Sequence, residues 1–192
     1  MGSKDAPGTA TTAGVGGPDG ADRVQDAGDA IRLLWPSGQP IWVHANRPRV
    51  LLMGEGPGIG PTLYLAEQLH GQPSDASWQP VVLLGSDTPF PFRPRPSVIV
   101  VPGIPTGVIA CMPLLEEWGT ASRLASPSDF PGCFEGPVTE LAHAWLGSLT
   151  PMELAQVEIV SCGPAPMLEA CASLARRFGL PCQVSRDNAP TA

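Results

Sequence analysis

The sequence predicts an α/β fold in three layers, with a parallel sheet of about five strands between helices. Three short apolar runs, RVLLM at 49–53, PVVLL at 80–84 and SVIVV at 97–101, have the continuous hydrophobicity of strands that are buried on both faces. Segments with apolar residues at helical spacing lie between and after these runs. Buried strands that alternate with helices favour a parallel sheet with both faces covered.

Composition limits the class of protein. The chain has 192 residues, 43% of them hydrophobic, so one domain with a sizeable core is expected. Its formal net charge of −7, without a basic cluster, argues against nucleic acid as a partner. Five cysteines without C-x-x-C spacing favour reduced thiols in a cytoplasmic protein. No apolar run has the length of a membrane span, and the first residues lack the apolar core of a secretory signal.

Four segments are predicted along the chain. Residues 1–29 are rich in Gly, Ala, Thr and Asp, and we expect a disordered tail because they hold few large apolar side chains. Residues 30–48 contain two apolar runs around a Pro-Ser-Gly turn and predict a short hairpin. Residues 49–186 are predicted to form the α/β domain, and 187–192 a C-terminal tail.

The strands follow from short apolar runs bounded by turn residues. They are predicted at Ile31–Leu34, Pro40–His44, Arg49–Met53, Pro80–Leu84, Ser97–Val101, Ser122–Ala125, Val157–Ser161 and Cys182–Ser185.

The helices follow from helical spacing and from end signals. They are predicted at Pro61–His70, Ala110–Trp118, Pro137–Leu146, a single turn with capping-box form at Thr150–Glu153, and a last helix whose apolar stripe is Met167, Cys171, Leu174 and Phe178. Gly71 and Gly147 are expected just beyond two helix ends. Arg176 and Arg177 suit the negative end of the last helix, which Gly179 ends.

One glycine-rich segment is the first candidate site: Gly54, Glu55, Gly56, Pro57, Gly58, Ile59, Gly60 and Pro61. It follows a buried strand and opens a helix, which is the context of a dinucleotide-binding turn. Glycines there let backbone N–H groups approach a pyrophosphate at a helix N-terminus. A P-loop would need a lysine after the glycines, and none follows. The alternative is a glycine-rich turn that binds no ligand.

A second segment also joins a strand to a helix: Ser161, Cys162, Gly163, Pro164, Ala165, Pro166 and Met167. Cys162 at the end of a strand would face the crevice where α/β proteins bind ligands and could touch a cofactor ring. The alternative is an inert buried thiol. Asp87 could accept from ribose hydroxyls, whereas Arg93 and Arg95 could meet a 2′-phosphate; solvated loop charges are the other interpretation. NAD is preferred to NADP.

Together the two segments resemble the NAD(P)-binding domain of the ferredoxin–NADP reductase superfamily, most closely in the electron-transfer subunit of bacterial dihydroorotate dehydrogenase. The positions that match its GGGxGxxP and CGPxPM motifs are Gly54, Gly56, Gly58 and Pro61, and Cys162, Gly163, Pro164, Pro166 and Met167. Gly85 and the segment Gly132–Thr139 also match, and the likeness covers Arg49–Ser185. The resemblance implies a Rossmann-like fold, a pyrophosphate at the glycine turn and a nicotinamide beside Cys162.

The sequence departs from the family in three ways. Glu55 replaces a family glycine, and a carboxylate ~4–6 Å from a phosphate would repel it by on the order of 3–4 kcal/mol at an effective dielectric of ~20. The Arg-x-Tyr-Ser signature of the flavin barrel is not found, so 30–48 could be a remnant of that domain's end. Cys182 stands alone where the family has a cysteine cluster, so we expect no [2Fe-2S] centre in this chain, and FAD only through a partner.

Two functions remain open. One is an NAD(P)H-binding oxidoreductase and electron-transfer module that acts with a separate flavoprotein. The other is a non-catalytic regulatory or scaffold protein that kept the fold and lost turnover, for which the three departures argue. His44, His70 and His143 have no metal-ligand spacing, so no metal is predicted. Glu116 and Glu117 suit a solvated helix face better than a catalytic pair, and a homo-oligomer stays open.

Overall fold

The computed structural model describes residues 30–72 and 78–186. The predicted tails at 1–29 and 187–192 lie outside the described residues. The strands are β1 (Ala30–Leu34), β2 (Pro40–His44), β3 (Arg49–Glu55), β4 (Val81–Gly85), β5 (Arg95–Pro96), β6 (Ala110–Cys111), β7 (Ala121–Ser126), β8 (Phe134–Glu135), β9 (Val157–Gly163) and β10 (Cys182–Arg186). The helices are α1 (Ile59–His70), α2 (Pro113–Glu117), α3 (Val138–Ser148), α4 (Pro151–Leu154) and α5 (Ala165–Phe178), and a 3₁₀ turn spans Gly56–Gly58.

Six strands form one all-parallel sheet in the order β10-β9-β3-β4-β7-β8. The predicted α/β class is confirmed, with six parallel strands where about five were expected. The chain runs outward from β3 to β8 and then returns to place β9 on the other side of β3. The strand order therefore reverses between β3 and β9, and open α/β sheets bind ligands at the carboxyl ends of such a pair.

Strand β3 shows why the apolar runs are continuous. Val50 and Leu52 belong to one hydrophobic cluster, which also contains Leu65 of α1. Leu51 and Met53 belong to a second cluster with residues of α3 and α5. Successive side chains of a strand point to opposite faces, so a strand with helices on both faces needs apolar residues at every position.

The predicted hairpin forms from β1 and β2, which pair antiparallel. Leu33 and Val43 lie in the same cluster as α1. The amide of Gln68 in α1 bonds both backbone groups of Leu34, at 3.0 and 2.8 Å. The carboxylate of Glu158, only 1% exposed, accepts from the backbone N of His44 at 2.7 Å and lies 3.0 Å from its ring Nδ1. The hairpin thus shares its core with the parallel sheet.

The strand predicted at Ser97–Val101 is wrong. These residues form an irregular segment in which Val98 and Val100 are 88% and 83% exposed. The Glu116 carboxylate accepts from the backbone N of Val98 at 2.6 Å. This N–H group is therefore not available to a neighbouring strand. The sheet also contains β8, a strand of two residues that pairs with β7 and that the sequence does not predict.

Helix ends also differ in detail. The helix predicted from Ala110 begins at Pro113, because Ala110 and Cys111 pair with β5 instead. Gly147 lies inside α3 rather than beyond it. The capping box of α4 and the left-handed Gly179 at the end of α5 are confirmed. No helix within the two described ranges is both long and apolar enough to cross a membrane.

Candidate functional site

The carboxyl ends of β3 and β9 bring the two candidate segments together. Gly54 lies opposite Cys162 in the parallel ladder. A Cβ atom on Gly58 would overlap the carbonyl group of Cys162. The glycine turn and the Cys162 segment therefore meet at one edge of the sheet, at the point where the strand order reverses.

Three glycines of the turn have reasons in packing or backbone conformation. A Cβ on Gly54 would lie 2.9 Å from the Cβ of Thr62, so this glycine lets α1 approach β3 closely. Gly56 has a φ of +54°, in the left-handed region that favours glycine. Gly58 must leave room for the Cys162 carbonyl. Folding alone thus explains these three positions.

Gly60 is different, because nothing lies within 4 Å of a Cβ built there and its φ is not in the left-handed region. It is exposed in the first turn of α1. The N-cap of this 12-residue helix is Gly58, which has no side chain to accept from the first-turn N–H groups. The backbone N–H of Ile59 already donates to the carbonyl of Gly56, and Pro61 has no N–H. The edge therefore offers a helix N-terminus without a side-chain cap, whose partial positive charge suits an anion.

Glu55 lies at the end of β3, and its side chain is on the face of the sheet opposite α1. A Cβ on Gly163 would be 3.4 Å from the Glu55 Cβ, and a Cβ on Gly85 would be 3.3 Å from its Cγ. The same Cβ on Gly85 would be 2.9 Å from Val138, which begins α3. Strand alternation gives the reason, since Glu55 follows Met53 on the face that α3 and α5 cover.

The Glu55 carboxyl has a perturbed pKa. Burial raises the pKa above the ordinary value of 4.5, and the negative charge of Asp87 raises it further. Asp87 is exposed, two residues past the end of β4. Two acidic side chains therefore lie at the carboxyl ends of the neighbouring strands β3 and β4.

Cys162 has its side chain on the α1 face, in the cluster that contains Val160 and Ile59, and it is 1% exposed. Met167 is 5% exposed in the other cluster. Gly163 ends β9, and Pro164 is the N-cap of α5. The Cys162 and Met167 side chains therefore lie on opposite faces of the sheet, and contact between Cys162 and a nicotinamide stays a prediction.

The two arginines proposed for a 2′-phosphate differ in their surroundings. Arg95 lies 3.6 Å from the Glu117 carboxylate and donates to the Pro113 carbonyl at 3.2 Å. Arg93 is exposed. Arg95 is thus engaged with α2, whereas Asp87 stands at the end of the strand next to β3.

Sequence reasoning missed a cavity at the opposite edge of the sheet. It has a volume of about 580 Å³ and its lining includes Arg49, Trp78 and Trp118. These residues lie at the amino ends of strands or at the carboxyl ends of helices, far apart in the sequence. The sequence holds one signal for this cavity, the number of tryptophans. From the sequence alone, those side chains are assigned to packing.

Within residues 30–72 and 78–186, no group of three or more His, Cys, Asp or Glu side chains is arranged to hold a metal ion. No protein-family model matches the chain, and no curated protein matches it. The site is therefore interpreted from its own geometry.

Proposed function

We propose that the chain is a cytoplasmic NAD(P)H-binding module of an oxidoreductase system, which passes electrons to a flavin on a separate flavoprotein. The proposal includes a three-layer, Rossmann-like fold of the ferredoxin-reductase NAD-domain type. The single observation that carries it is the open N-terminus of α1 beside Gly60, at the reversal of strand order between β3 and β9. A dinucleotide pyrophosphate is the ligand typical of that position.

The residues at this edge fit a pyrophosphate. Gly56 and Gly60 have open space where other residues would carry a Cβ, so the backbone N–H groups can be approached closely. The sequence alone predicts a repulsion from Glu55, but its Cβ and Cγ lie on the α3 and α5 face. That position supports a weaker repulsion than direct contact would give, because Coulomb energy falls with distance.

In this proposal, the chain holds and orients the cofactor. The first turn of α1 would bind the pyrophosphate, and Asp87 would accept from the ribose hydroxyls of NAD. Gly163 and Met167 would form the floor under the nicotinamide. A bound nicotinamide supplies the hydride chemistry, so the protein's part is position and exclusion of water.

A partner is supported by the exposed apolar residues of one region. Val98 and Val100 are more than four-fifths exposed, and Ile109 and Leu114 are 49% and 39% exposed. All four belong to the stretch between β5 and the end of α2. Exposed apolar residues in one region are typical of interaction surfaces.

The second candidate is a non-catalytic regulatory or scaffold protein. The observation in its favour is that packing and backbone conformation account for Gly54, Gly56 and Gly58 without any ligand. A turn that needs its glycines for folding keeps them after binding is lost. In this alternative, the glycine turn keeps its conformation but binds no nucleotide.

A matched pair of variants tests the first proposal. Gly60→Glu adds a carboxylate at the open helix N-terminus, where its Cβ meets nothing within 4 Å. Gly147→Glu makes the same change at an exposed glycine of α3 that also has open space. We expect wild type and Gly147→Glu to bind NADH equally, and Gly60→Glu to bind at least about tenfold more weakly through repulsion.

Calorimetric titration measures all three proteins. An acidic residue in the first turn favours the helix, so Gly60→Glu should remain folded, and circular dichroism checks this. If wild type does not bind NADH or NADPH at about 1 mM, the nucleotide proposal fails and the scaffold alternative is favoured. Equal weakening in both variants would also contradict the assigned site.

A further inference from the structure

Glu55 borders the floor on which the proposed function places a nicotinamide. That floor consists of Gly163 and Met167. A Cβ on Gly163 would lie 3.2 Å from the Met167 sulfur, 3.3 Å from the Glu55 carbonyl oxygen and 3.4 Å from the Glu55 Cβ. A ring that rests on Gly163 therefore lies beside the Glu55 side chain, to which the proposed function gives no part.

The Glu55 carboxyl can be reached from solvent. The residue is partly exposed. In the described part of the chain, the buried side-chain nitrogens and oxygens without a hydrogen-bond partner belong to Arg49, Trp78 and Ser161. The Glu55 oxygens are not among them, although no hydrogen bond or salt bridge between described residues involves the Glu55 carboxyl. These oxygens are therefore at the surface, where a ligand can meet them.

The charge around this floor is negative. Burial and the charge of Asp87 raise the pKa of the Glu55 carboxyl. Burial raises the pKa of the Cys171 thiol in α5 to about 12, and the charge of Glu55 adds to that shift. The Cys171 sulfur is 3.8 Å from the Met167 sulfur, so the charge of Glu55 acts on the floor itself. A positive charge placed there would be stabilised.

The two redox forms of a nicotinamide nucleotide differ in charge at the ring. The reduced ring is neutral, and it gains one positive charge when it gives a hydride to the flavin of the partner. The pyrophosphate and the riboses are the same in both forms. A carboxylate beside the ring therefore distinguishes the two forms, whereas the N-terminus of α1 does not.

We propose that the Glu55 carboxylate makes this site prefer the oxidised nicotinamide nucleotide to the reduced one. The inference rests on the proposed function, because it requires a nucleotide at this edge of the sheet. It also gives the transfer a direction. A site that binds the oxidised form more tightly favours the loss of the hydride from the bound nucleotide.

Calorimetric titration with NAD⁺ and NADH at pH 8 tests the proposal. The measured quantity is the Kd for NADH divided by the Kd for NAD⁺, a ratio in which the contribution of the shared pyrophosphate cancels. Glu55→Gln keeps the shape of the side chain, removes its charge and should lower this ratio about 3- to 10-fold, an attraction reduced by solvent screening. Glu55→Asp keeps the charge and should retain part of the preference.

Glu135→Gln is the matched control. Glu135 is exposed at the end of β8, on the same edge of the sheet but three strands away from β3. The variant loses the same charge and should have the ratio of wild type. ADP-ribose, which lacks the nicotinamide, serves as the reference ligand. Glu55→Gln should weaken NAD⁺ relative to ADP-ribose and leave NADH unchanged relative to it.

The outcomes separate this inference from the proposed function. If wild type binds both nucleotides and Glu55→Gln has the wild-type ratio, the role of Glu55 is overturned and the proposed function stands. An equal fall in both Gln variants overturns it as well. Partial unfolding would weaken both nucleotides alike and leave the ratio unchanged. If wild type binds none of the three ligands, the proposed function fails and this inference fails with it.

Discussion

Single glycines decide how α1 joins the sheet. Gly58 and Gly60 are two residues apart, yet their surroundings differ in kind. A side chain on Gly58 would overlap the backbone of β9, whereas one on Gly60 would meet nothing within 4 Å. In the sequence, both belong to one glycine-rich turn. Only the position of β9 shows that Gly58 is needed for packing, whereas Gly60 is not.

This difference predicts opposite effects of the same substitution. Gly58→Ala should lower the free energy of unfolding by about 1–3 kcal/mol, because the added methyl group forces β9 and the turn apart. Gly60→Ala should raise it by about 0.5–1 kcal/mol, since alanine is favoured over glycine inside a helix. Urea denaturation of the two variants measures both. Similar effects in the same direction would contradict the described contact between the turn and Cys162.

Glu55 makes a pH-dependent contribution to stability. Burial and Asp87 raise the pKa of its carboxyl in the folded state, so folding favours the protonated form. The stability that protonated Glu55 contributes is therefore present below the unfolded pKa and is lost as pH rises through the folded pKa. Glu55→Gln should raise the free energy of unfolding at pH 7 by less than about 1 kcal/mol, because the group is half-exposed.

The same variant should have no effect near pH 3, where the carboxyl is protonated in both states. Glu67→Gln, at an exposed position of α1, is the control and should behave as wild type at both pH values. Thermal denaturation across this pH range is the measurement. Destabilisation by Glu55→Gln at pH 7 would contradict the sign of the pKa shift.

At the scale of elements, the stretch from 97 to 109 departs most from the sequence prediction. The buried Arg123 of β7 holds it by donating to two of its backbone carbonyls, those of Ile99 and Val108. Burial lowers the pKa of its guanidinium. Pro102 and Pro105 cannot donate to a ladder, which further disfavours a strand here. Val98 and Val100 are left outside the core.

The exposed valines give a test of this element. Val98→Asp and Val100→Asp should each change the free energy of unfolding by less than about 0.5 kcal/mol, because a surface substitution disturbs no packing. Val82→Asp is the comparison, since Val82 is fully buried in β4. Its buried charge should prevent folding or cost several kcal/mol. Large losses at 98 or 100 would mean that the segment is a buried strand after all.

At the scale of the whole molecule, the parallel sheet separates the candidate site from a cavity. Its carboxyl edge carries the open end of α1 and the Glu55 and Asp87 carboxyls. Its amino edge carries the aromatic cavity and the Arg49–Glu153 ion pair. Parallel strands produce this division because all of them end on the same side.

The sequence by itself determined the α/β class, most strand and helix positions and the two segments at the carboxyl edge. It could do so because burial on both faces and helix-end residues leave local patterns, as in β3 and α5. Tertiary structure decided the rest. Glu55 lies on the α3 and α5 face because of its register in β3, and 97–101 forms no strand, since Glu116 and Arg123 bond its backbone. The cavity joins residues from Arg49 to Glu153, whose proximity no local pattern records, because side chains far apart in sequence meet only when the strands have been ordered.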